Sequence, residues 1–284
     1  MSESDIKRFE DQIIVVTGGA AGIGEVTAKQ FCREGGTVVI ADYNEPEMER
    51  VLDEITTDGG KAVSIRTDLR EPDQVKEMID FTIKEYGRLD VLFNNAASQV
   101  SGSVTDLTLK RWRYTFAIML DAPFLASKHA LEHMSQQKSG VIINAVSPSG
   151  VNPDFEMAAY GAAKAALINL TKSIALDYAM VGVRCVGVAP GATLTPALKY
   201  FLNIGEIDEN IRKALGPPMP EEMLERYRKR LMDALPYGRF ADPEEIAKAV
   251  LFLASPDASY ISGDVLFVDG AMTSQPGGMP RFAR

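Results

Sequence analysis

Ile13-Ile14-Val15-Val16-Thr17-Gly18-Gly19-Ala20-Ala21-Gly22-Ile23-Gly24, near the amino end of the chain, is the segment that most constrains its architecture. It joins a short apolar run, Ile13–Val16, to an amphipathic stretch, Ile23–Cys32. Strand, glycine-rich turn and helix in this order predict a dinucleotide-binding site. Glycines let the backbone turn sharply and approach a pyrophosphate closely, and the helix offers free N–H groups and its positive dipole end to phosphates. The alternative is a glycine-rich turn that binds no ligand.

Asp42 closes the second apolar run of the chain, eighteen residues after Gly24. A carboxylate at this place can accept hydrogen bonds from the ribose hydroxyls of an adenosine, and it repels a 2′-phosphate. Tyr43 follows it, and no arginine adjoins Asp42 or the glycine turn to reverse that preference. These residues favour NAD over NADP as the cofactor. An ordinary loop aspartate is the alternative reading.

Apolar, strand-like runs alternate with helical stretches along the chain. Such alternation predicts a parallel sheet with helices on both faces, and near-continuous apolar strands fit a sheet that is buried on both sides. We therefore predict an α/β fold with a single doubly wound domain over residues 1–284, although the length alone also allows two small domains. The predicted strands are Ile13–Val16, Thr37–Ala41, Ala62–Arg66, Val91–Phe93, Val141–Val146, Arg184–Ala189 and Val265–Val268. The predicted helices are Ile23–Arg33, Pro46–Thr56, Pro72–Tyr86, Leu109–Gln137, Ala158–Met180 and Glu244–Leu253.

Tyr160 and Lys164 are four residues apart in a predicted helix, so their side chains project from one face. An ammonium beside a phenol stabilises the phenolate, and we expect it to lower the pKa of Tyr160 from about 10 toward neutrality. Such a tyrosine can exchange a proton with a substrate hydroxyl or carbonyl. Ser147 follows a predicted strand thirteen residues upstream and can hold the same oxygen. The Tyr-x-x-x-Lys spacing alone is common in surface helices, and it gains weight from the glycine motif.

Composition limits the classes of partner. A net charge of −9 and a pI near 4.9 argue against nucleic acid and anionic membranes, because both reward basic patches. The amino terminus is charged and lacks the apolar core of a signal peptide, and no apolar run approaches the length of a membrane span. We therefore expect a cytoplasmic protein. The two cysteines, Cys32 and Cys185, imply no disulfide framework.

His129-Ala130-Leu131-Glu132-His133 matches the H-x-x-E-H spacing of some zinc peptidases. Two histidines four residues apart on a helix can share a metal ion. These are the only two histidines in the protein, and they fall within one long predicted helix. We favour a solvated or interface helix face over a metal site.

These motifs together resemble the short-chain dehydrogenase/reductase family, from about Phe9 to Thr273. The resemblance implies a Rossmann fold with a seven-stranded parallel sheet, and hydride transfer between a nicotinamide ring and an alcohol or ketone. It also implies a homotetramer or homodimer assembled through two long helices, here Leu109–Gln137 and Ala158–Met180. The residues that carry it are Thr17–Gly24, Asp42, Asp68, Asn94-Asn95-Ala96, Ser147, Tyr160-Gly161-Ala162-Ala163-Lys164, Pro190-Gly191 and Val268-Asp269-Gly270.

The resemblance also implies roles for single residues. Tyr160 is similar to the family's acid/base, Lys164 to the residue that anchors the nicotinamide ribose, and Ser147 to the one that orients the substrate oxygen. Asp68 resembles the residue that meets the adenine, and Asn94 the one that steadies the loop beside it. The expected cofactor contacts are Thr17, Gly18, Gly22, Ile23, Gly24, Asp42, Tyr43, Asp68, Leu69, Asn94, Ala96, Tyr160, Lys164, Pro190, Gly191, and Thr193 and Thr195 at the carboxamide.

Four positions depart from the family pattern. Met119 stands where many members carry an asparagine thought to hold a water that links the lysine to solvent, and a thioether is only a weak acceptor. We expect Met119 to weaken this proton relay without abolishing catalysis. Ala97, Val186 and Ala271 replace a common glycine, asparagine and glycine, and we interpret them as structural.

The substrate region lies in two segments, Ser149–Met157 and Ala197–Pro236. The second is long and is predicted to form a lid, with a pair of surface helices as the alternative. Acidic residues in the first segment, Asp154 and Glu156, disfavour an anionic substrate. The tail, Met272–Arg284, is predicted to form no regular element, and either frays or reaches a neighbouring subunit. The expected lining of a largely apolar pocket is Val100, Phe155, Met157 and Phe201.

We therefore predict an NAD-dependent enzyme that acts on a neutral, mid-sized secondary alcohol or ketone, cyclic compounds included. A lyase, epimerase or dehalogenase-like member of the same fold is one alternative, in which the Ser-Tyr-Lys trio is used differently. A catalytically silent NAD-binding regulator is another, and Met119 is its support. A fold alone does not establish chemistry.

Overall fold

The computed structural model describes residues 7–98, 100–205 and 221–274. Its centre is a seven-stranded sheet in the order β3-β2-β1-β4-β5-β6-β7, with every neighbouring pair parallel. The order reverses between β1 and β4, so the strand ends at that point form a crevice. The strands are β1 Ile13–Thr17, β2 Thr37–Asp42, β3 Lys61–Arg66, β4 Val91–Asn94, β5 Gly140–Ala145, β6 Val183–Pro190 and β7 Val265–Val268.

Helices cover both faces of the sheet. Successive side chains of a strand point to opposite faces, and β1 illustrates this: Ile14 and Val16 join one apolar cluster, while Val15 joins the other. The first cluster is completed by α1, α2 and α9, and the second by α3, α5 and α6. The predicted doubly wound α/β fold is confirmed. The helices are α1 Gly22–Arg33, α2 Glu45–Thr57, α3 Pro72–Tyr86, α4 Leu109–Phe116, α5 Ala122–Gln137, α6 Ala158–Tyr178, α7 Pro196–Phe201, α8 Glu221–Asp233 and α9 Pro243–Ala254.

Two predicted elements differ in the structure. The long helix Leu109–Gln137 is divided into α4 and α5 by one π-helical turn, Ala117–Asp121. The tail was predicted to lack regular structure, which is wrong for Met272–Ser274, a 3-10 turn. Asp269 stabilises this turn, because its carboxylate accepts hydrogen bonds from the backbone and hydroxyl of Thr273. Residues 275–284 of the tail lie outside the described residues.

Across the described parts of the chain, no helix combines the length and the apolar character needed to cross a membrane.

Candidate active site

The glycine turn between β1 and α1 is packed too closely to hold side chains at its key positions. Gly18 has a φ of +63°, and a Cβ there would lie 2.9 Å from the Cα of Ala96. A Cβ at Gly24 would lie 2.1 Å from the carbonyl oxygen of Gly18. A Cβ at Gly22, whose φ is +57°, would lie 3.3 Å from the Thr195 side chain. The turn is therefore a narrow cradle of bare backbone at the amino end of α1, which fits a pyrophosphate.

Asn95, and not Asn94, steadies this turn. The Asn95 amide nitrogen donates to the carbonyl oxygens of Thr17 and Gly18 at 3.0 and 3.2 Å. The backbone N–H groups of Asn95 and Ala96 donate to the Thr17 hydroxyl at 3.0 and 3.2 Å. Asn94 was expected to steady a loop, and that prediction was wrong by one residue.

Asn94 instead belongs to a buried polar network in the sheet. It is the last residue of β4, and its amide nitrogen donates to Asn144 Oδ1 at 2.9 Å and to Ser127 at 3.3 Å. Asn144 in turn donates to the hydroxyl of Thr171 at 2.9 Å. The position of the strand end is the signal that distinguishes the two asparagines. Asn94 is still within β4, so its side chain points to a face of the sheet, whereas Asn95 has left the strand.

Asp42, at the end of β2, lies beside the glycine turn. Its carboxylate accepts backbone N–H groups from Ala20 in the turn at 3.2 Å, from Tyr43 at 2.8 Å and from Asn44 at 3.1 Å. Burial raises the pKa of Asp42, and these N–H groups partly offset that rise. Tyr43 is 63% exposed at the rim. The carboxylate is thus fixed beside the glycine turn.

Asp68 follows β3 and is paired with a residue that the sequence did not single out. The Nε atom of Arg70 donates to Asp68 at 2.8 Å, and this hydrogen bond holds the pKa of Asp68 below its ordinary value. The guanidinium of Arg70 lies 5.7 Å from the ring centroid of Tyr114, on α4. Leu69, between them, packs against the apolar cluster of α3 and α5.

The segment after β6 covers the glycine turn from the other side. The Thr193 hydroxyl donates to the carbonyl oxygen of Gly191 at 3.0 Å, and the Thr195 hydroxyl caps α7 by accepting from Leu198 at 3.2 Å. Gly191 packs on β7, since a Cβ there would lie 2.7 Å from the Cα of Asp269. Pro190 ends β6, and Ile23 packs against the core at the start of α1.

Ser147, Tyr160 and Lys164 meet at the carboxyl end of β5. Ser147 follows that strand and caps a 3-10 turn by accepting from Ser149 at 3.2 Å, while α6 carries the other two. The Ser147 hydroxyl lies close enough to the Tyr160 phenol to lower its pKa. The Nζ atom of Lys164 lies 5.7 Å from the ring centroid of Tyr160 and donates to the carbonyl oxygen of Ala145 at 2.6 Å.

The expected lowering of the Tyr160 pKa is wrong for this arrangement. Burial raises the pKa of Tyr160, and the hydrogen bond from Ser147 only partly opposes it, while the charge of Asp154 raises it further. The ammonium of Lys164 is directed at Ala145 and not at the phenol oxygen. Lys164 is itself only 2% exposed, and burial lowers its pKa to about 8.

Met119 lies in the π-helical turn between α4 and α5 and is fully buried. Such turns are rare and are often found at functional sites. The structure also shows the environment of two other positions that depart from the family pattern. Val186 is buried in β6, and Ala271 adopts a left-handed conformation with a φ of +67°, which explains why glycine is common at that position.

The four expected pocket residues lie on the loops after β4 and β5 and on α7. The loops after β4 and β5 do meet, because the N–H of Gly102 donates to the carbonyl of Glu156 at 2.7 Å and Gly102 pairs with Met157. Phe155 is largely exposed. Within the described residues, a cleft of about 320 Å³ beside Gly191 and a second of about 270 Å³ beside Trp112 contain none of Val100, Phe155, Met157 and Phe201 in their walls.

The segment Ala197–Pro236, which was predicted to form a lid, is described at its two ends only. Arg228 of α8 contacts the carboxyl end of α7, where its Nε atom donates to the carbonyl oxygen of Leu202 at 2.8 Å. Leu202, Leu224 and Leu235 are buried, so these two helices pack onto the body of the protein. Residues 206–220, in the middle of the predicted lid, lie outside the described residues.

The two histidines lie on α5, and His129 Nδ1 is 3.8 Å from Glu132. Within residues 7–98, 100–205 and 221–274, no three His, Cys, Asp or Glu side chains cluster as metal ligands do.

Comparisons with known proteins agree with the fold. A family model described as short chain dehydrogenase matches residues 12–203. Meso-2,3-butanediol dehydrogenase of Serratia marcescens is 34% identical over 95% of this chain and 98% of its own length. A 7alpha-hydroxysteroid dehydrogenase of Bacteroides fragilis is 36% identical, over 94% of this chain and 96% of that protein. The crystal structure of gox2181 superposes with a TM-score of 0.82 at 27% identity, over 94% of this chain and 98% of that one. The chain therefore belongs to the short-chain dehydrogenase family.

Proposed function

We propose that the protein is an NAD-dependent oxidoreductase that moves a hydride between the nicotinamide ring and a neutral secondary alcohol or ketone. One observation carries the proposal: Ser147, Tyr160 and Lys164 converge at the carboxyl end of β5, at the same edge of the sheet as the glycine turn. Ligands of doubly wound folds bind at this edge. The bound cofactor supplies the hydride acceptor or donor, and the protein supplies binding, orientation and proton transfer.

Binding of the cofactor uses backbone more than side chains. The glycine turn and the N–H groups at the start of α1 would hold the pyrophosphate. Asp42 would accept a ribose hydroxyl, and its charge would repel the 2′-phosphate of NADP. We therefore prefer NAD, on the ground that Asp42 is held in place by three backbone N–H groups.

Proton transfer is assigned to the hydroxyl of Tyr160. The raised pKa keeps this phenol protonated at neutral pH, so it can donate a proton to the oxygen of a ketone that is being reduced. In the oxidative direction the same group must accept a proton, and the rate should therefore increase as the pH rises. Ser147 lies close enough to Tyr160 to lower the pKa of its phenol, and it would share the substrate oxygen with Tyr160.

A neutral substrate is favoured by the charge next to Tyr160. The carboxylate of Asp154 raises the pKa of Tyr160, so its field reaches the reacting oxygen and would repel an anion. The Bacteroides relative is named for a hydroxysteroid, which is a cyclic secondary alcohol. Cyclic secondary alcohols are accordingly the first compounds to test.

A homotetramer or homodimer is part of the proposal. Leu176 and Met180 lie four residues apart, at the end of α6 and in the turn after it, and are 80% and 96% exposed. Large apolar side chains exposed side by side often mark an interface. Sedimentation of the protein as a monomer would contradict the proposed homotetramer or homodimer. We also propose that the chain forms one domain, with the lid as part of it, in the cytoplasm.

The proposed activity is tested by two measurements on the purified protein. Titration with NADH and NADPH should give tighter binding of NADH, and tighter binding of NADPH would refute the role of Asp42. Formation of NADH is then followed with cyclic and acyclic secondary alcohols and with small hydroxy acids. We expect turnover of the neutral alcohols, and faster turnover of the hydroxy acids would contradict the assigned substrate class.

A silent NAD-binding regulator remains the second candidate, because Met119 occupies the position of the family's relay asparagine. It predicts NADH binding without turnover of any alcohol or ketone in the panel.

A further inference from the structure

A group of planar side chains from the ends of β2 and β3 and from α4 lies together at the surface. Tyr114 of α4 is 38% exposed, and its hydroxyl lies 3.4 Å from that of Ser98, which follows β4. Arg70 follows β3, and its guanidinium lies 5.7 Å from the ring centroid of Tyr114. Tyr43 follows β2, and the charge of Arg70 acts on the pKa of its phenol. Three flat groups from three parts of the chain thus face one exposed place.

Arg70 is held in a fixed orientation there. Its Nε atom is within 2.8 and 3.1 Å of the two carboxylate oxygens of Asp68, and a terminal nitrogen also donates to Asp68. The backbone N–H of Arg70 donates to the same carboxylate at 3.0 Å. Arginine forms such forked pairs with its guanidinium in the plane of the carboxylate, so its flat face is left for stacking.

The pair also limits what Asp68 can accept. A carboxylate has about four acceptor sites. Two side-chain nitrogens and one backbone nitrogen of Arg70 occupy this one. About one site therefore remains for a ligand, which suits a single amino group and not a hydrated cation.

This place lies beyond Asp42 as seen from the glycine turn. If Asp42 holds the ribose, the base of the nucleotide must extend over the ends of β2 and β3, where Tyr43, Asp68 and Arg70 lie. Adenine is flat, has an aromatic face and carries one exocyclic amino group. Aromatic rings and guanidinium planes stack on nucleobases, and each such contact typically contributes about 1–3 kcal/mol.

We propose that Arg70 and Tyr114 form a stacking wall for the adenine base, with Arg70 also orienting Asp68 toward the amino group of that base. The inference rests on the proposed use of a nicotinamide dinucleotide. In this proposal two residues outside the glycine and Tyr-x-x-x-Lys motifs bind the cofactor, and α4 contributes one of them to the adenosine site.

The test compares ligands with and without adenosine by calorimetric titration. Arg70→Ala and Tyr114→Ala should each weaken binding of NADH and of ADP-ribose by about tenfold, while binding of reduced nicotinamide mononucleotide stays within about twofold. Tyr114→Phe keeps the ring and should stay near wild type. Arg70→Lys keeps the charge but not the plane, and should behave as Arg70→Ala. Arg33→Ala is the matched control, since Arg33 is an exposed arginine paired with Asp58 at 3.2 Å on the surface.

Each outcome decides the matter. Equal NADH affinity in wild type, Arg70→Ala and Tyr114→Ala overturns the stacking wall while leaving the proposed function intact. An equal loss for NADH and for the mononucleotide also overturns it, because the effect would then be a general one of charge. Absence of NADH binding by the wild-type protein would instead refute the proposed function.

Discussion

Replacement of Lys164 by methionine should make the protein less active and should change how its stability depends on pH. Burial lowers the pKa of Lys164 from an ordinary value of 10.5 to about 8. At about 1.4 kcal/mol per pH unit, this gap corresponds to a cost of about 3 kcal/mol for keeping the ammonium charged inside the folded protein. Methionine has a similar length and carries no charge, so Lys164→Met removes that cost and should abolish turnover.

The effect has a defined pH window. Below pH 8 the lysine is charged in both the folded and unfolded states, and the wild type bears the full cost. Between pH 8 and 10.5 the folded protein releases the proton while the unfolded chain keeps it, so the wild type gains stability as the pH rises. The variant lacks this gain. The stability of Lys164→Met relative to wild type should therefore fall by about 3 kcal/mol between pH 7 and pH 10.5.

The pH-dependent difference isolates the charge from the hydrogen bond. Lys164→Met also leaves the carbonyl of Ala145 without its donor, which costs about 1–3 kcal/mol at every pH. Urea unfolding of both proteins at four pH values and one protein concentration gives the difference directly. Lys172→Met, at an exposed lysine of the same helix, should give a flat line. A flat line for Lys164→Met as well would refute the inference that the ammonium is desolvated.

Three further substitutions give separate expectations. Gly24→Ala places a Cβ 2.1 Å from the carbonyl oxygen of Gly18, so it should lower the free energy of unfolding by about 3 kcal/mol and abolish NADH binding. The control Gly59→Ala, in open space with a φ of +79°, should lower it by about 1 kcal/mol. Equal behaviour of the two variants in thermal unfolding and NADH titration would contradict this expectation. Ala271→Gly relieves a left-handed alanine and should raise the free energy of unfolding by roughly 0.5 kcal/mol, and a loss of stability would count against strain at this residue. Met119→Asn supplies a donor and an acceptor in place of a thioether, so turnover near neutral pH should rise, and unchanged turnover would show that the relay does not use that position.

The local parts of the site followed from the sequence alone. The glycine turn was predictable because strand, turn and helix are adjacent in the chain, and the positive φ at Gly18 and Gly22 bears out the need for glycine. The proximity of Tyr160 and Lys164 followed from helical spacing.

Properties that depend on packing could not be predicted from the sequence. Burial sets the direction of the Tyr160 pKa, and the Lys164 ammonium donates to the carbonyl of Ala145. Neither feature is encoded in a four-residue spacing. The contact of Arg70 with Tyr114 joins two distant segments through the fold. The loops after β4 and β5 meet through Gly102, a pairing that apolar content alone does not predict.

The proton-transfer role of Tyr160 is decided by a paired measurement on Tyr160→Phe, with NADH affinity and turnover of a secondary alcohol determined on the same sample. Removal of this single hydroxyl, which lies near Ser147, should leave NADH affinity within about twofold and reduce turnover by roughly a thousandfold. Turnover close to that of the wild type, with the cofactor still bound, would contradict the assignment of this hydroxyl as the proton donor and acceptor.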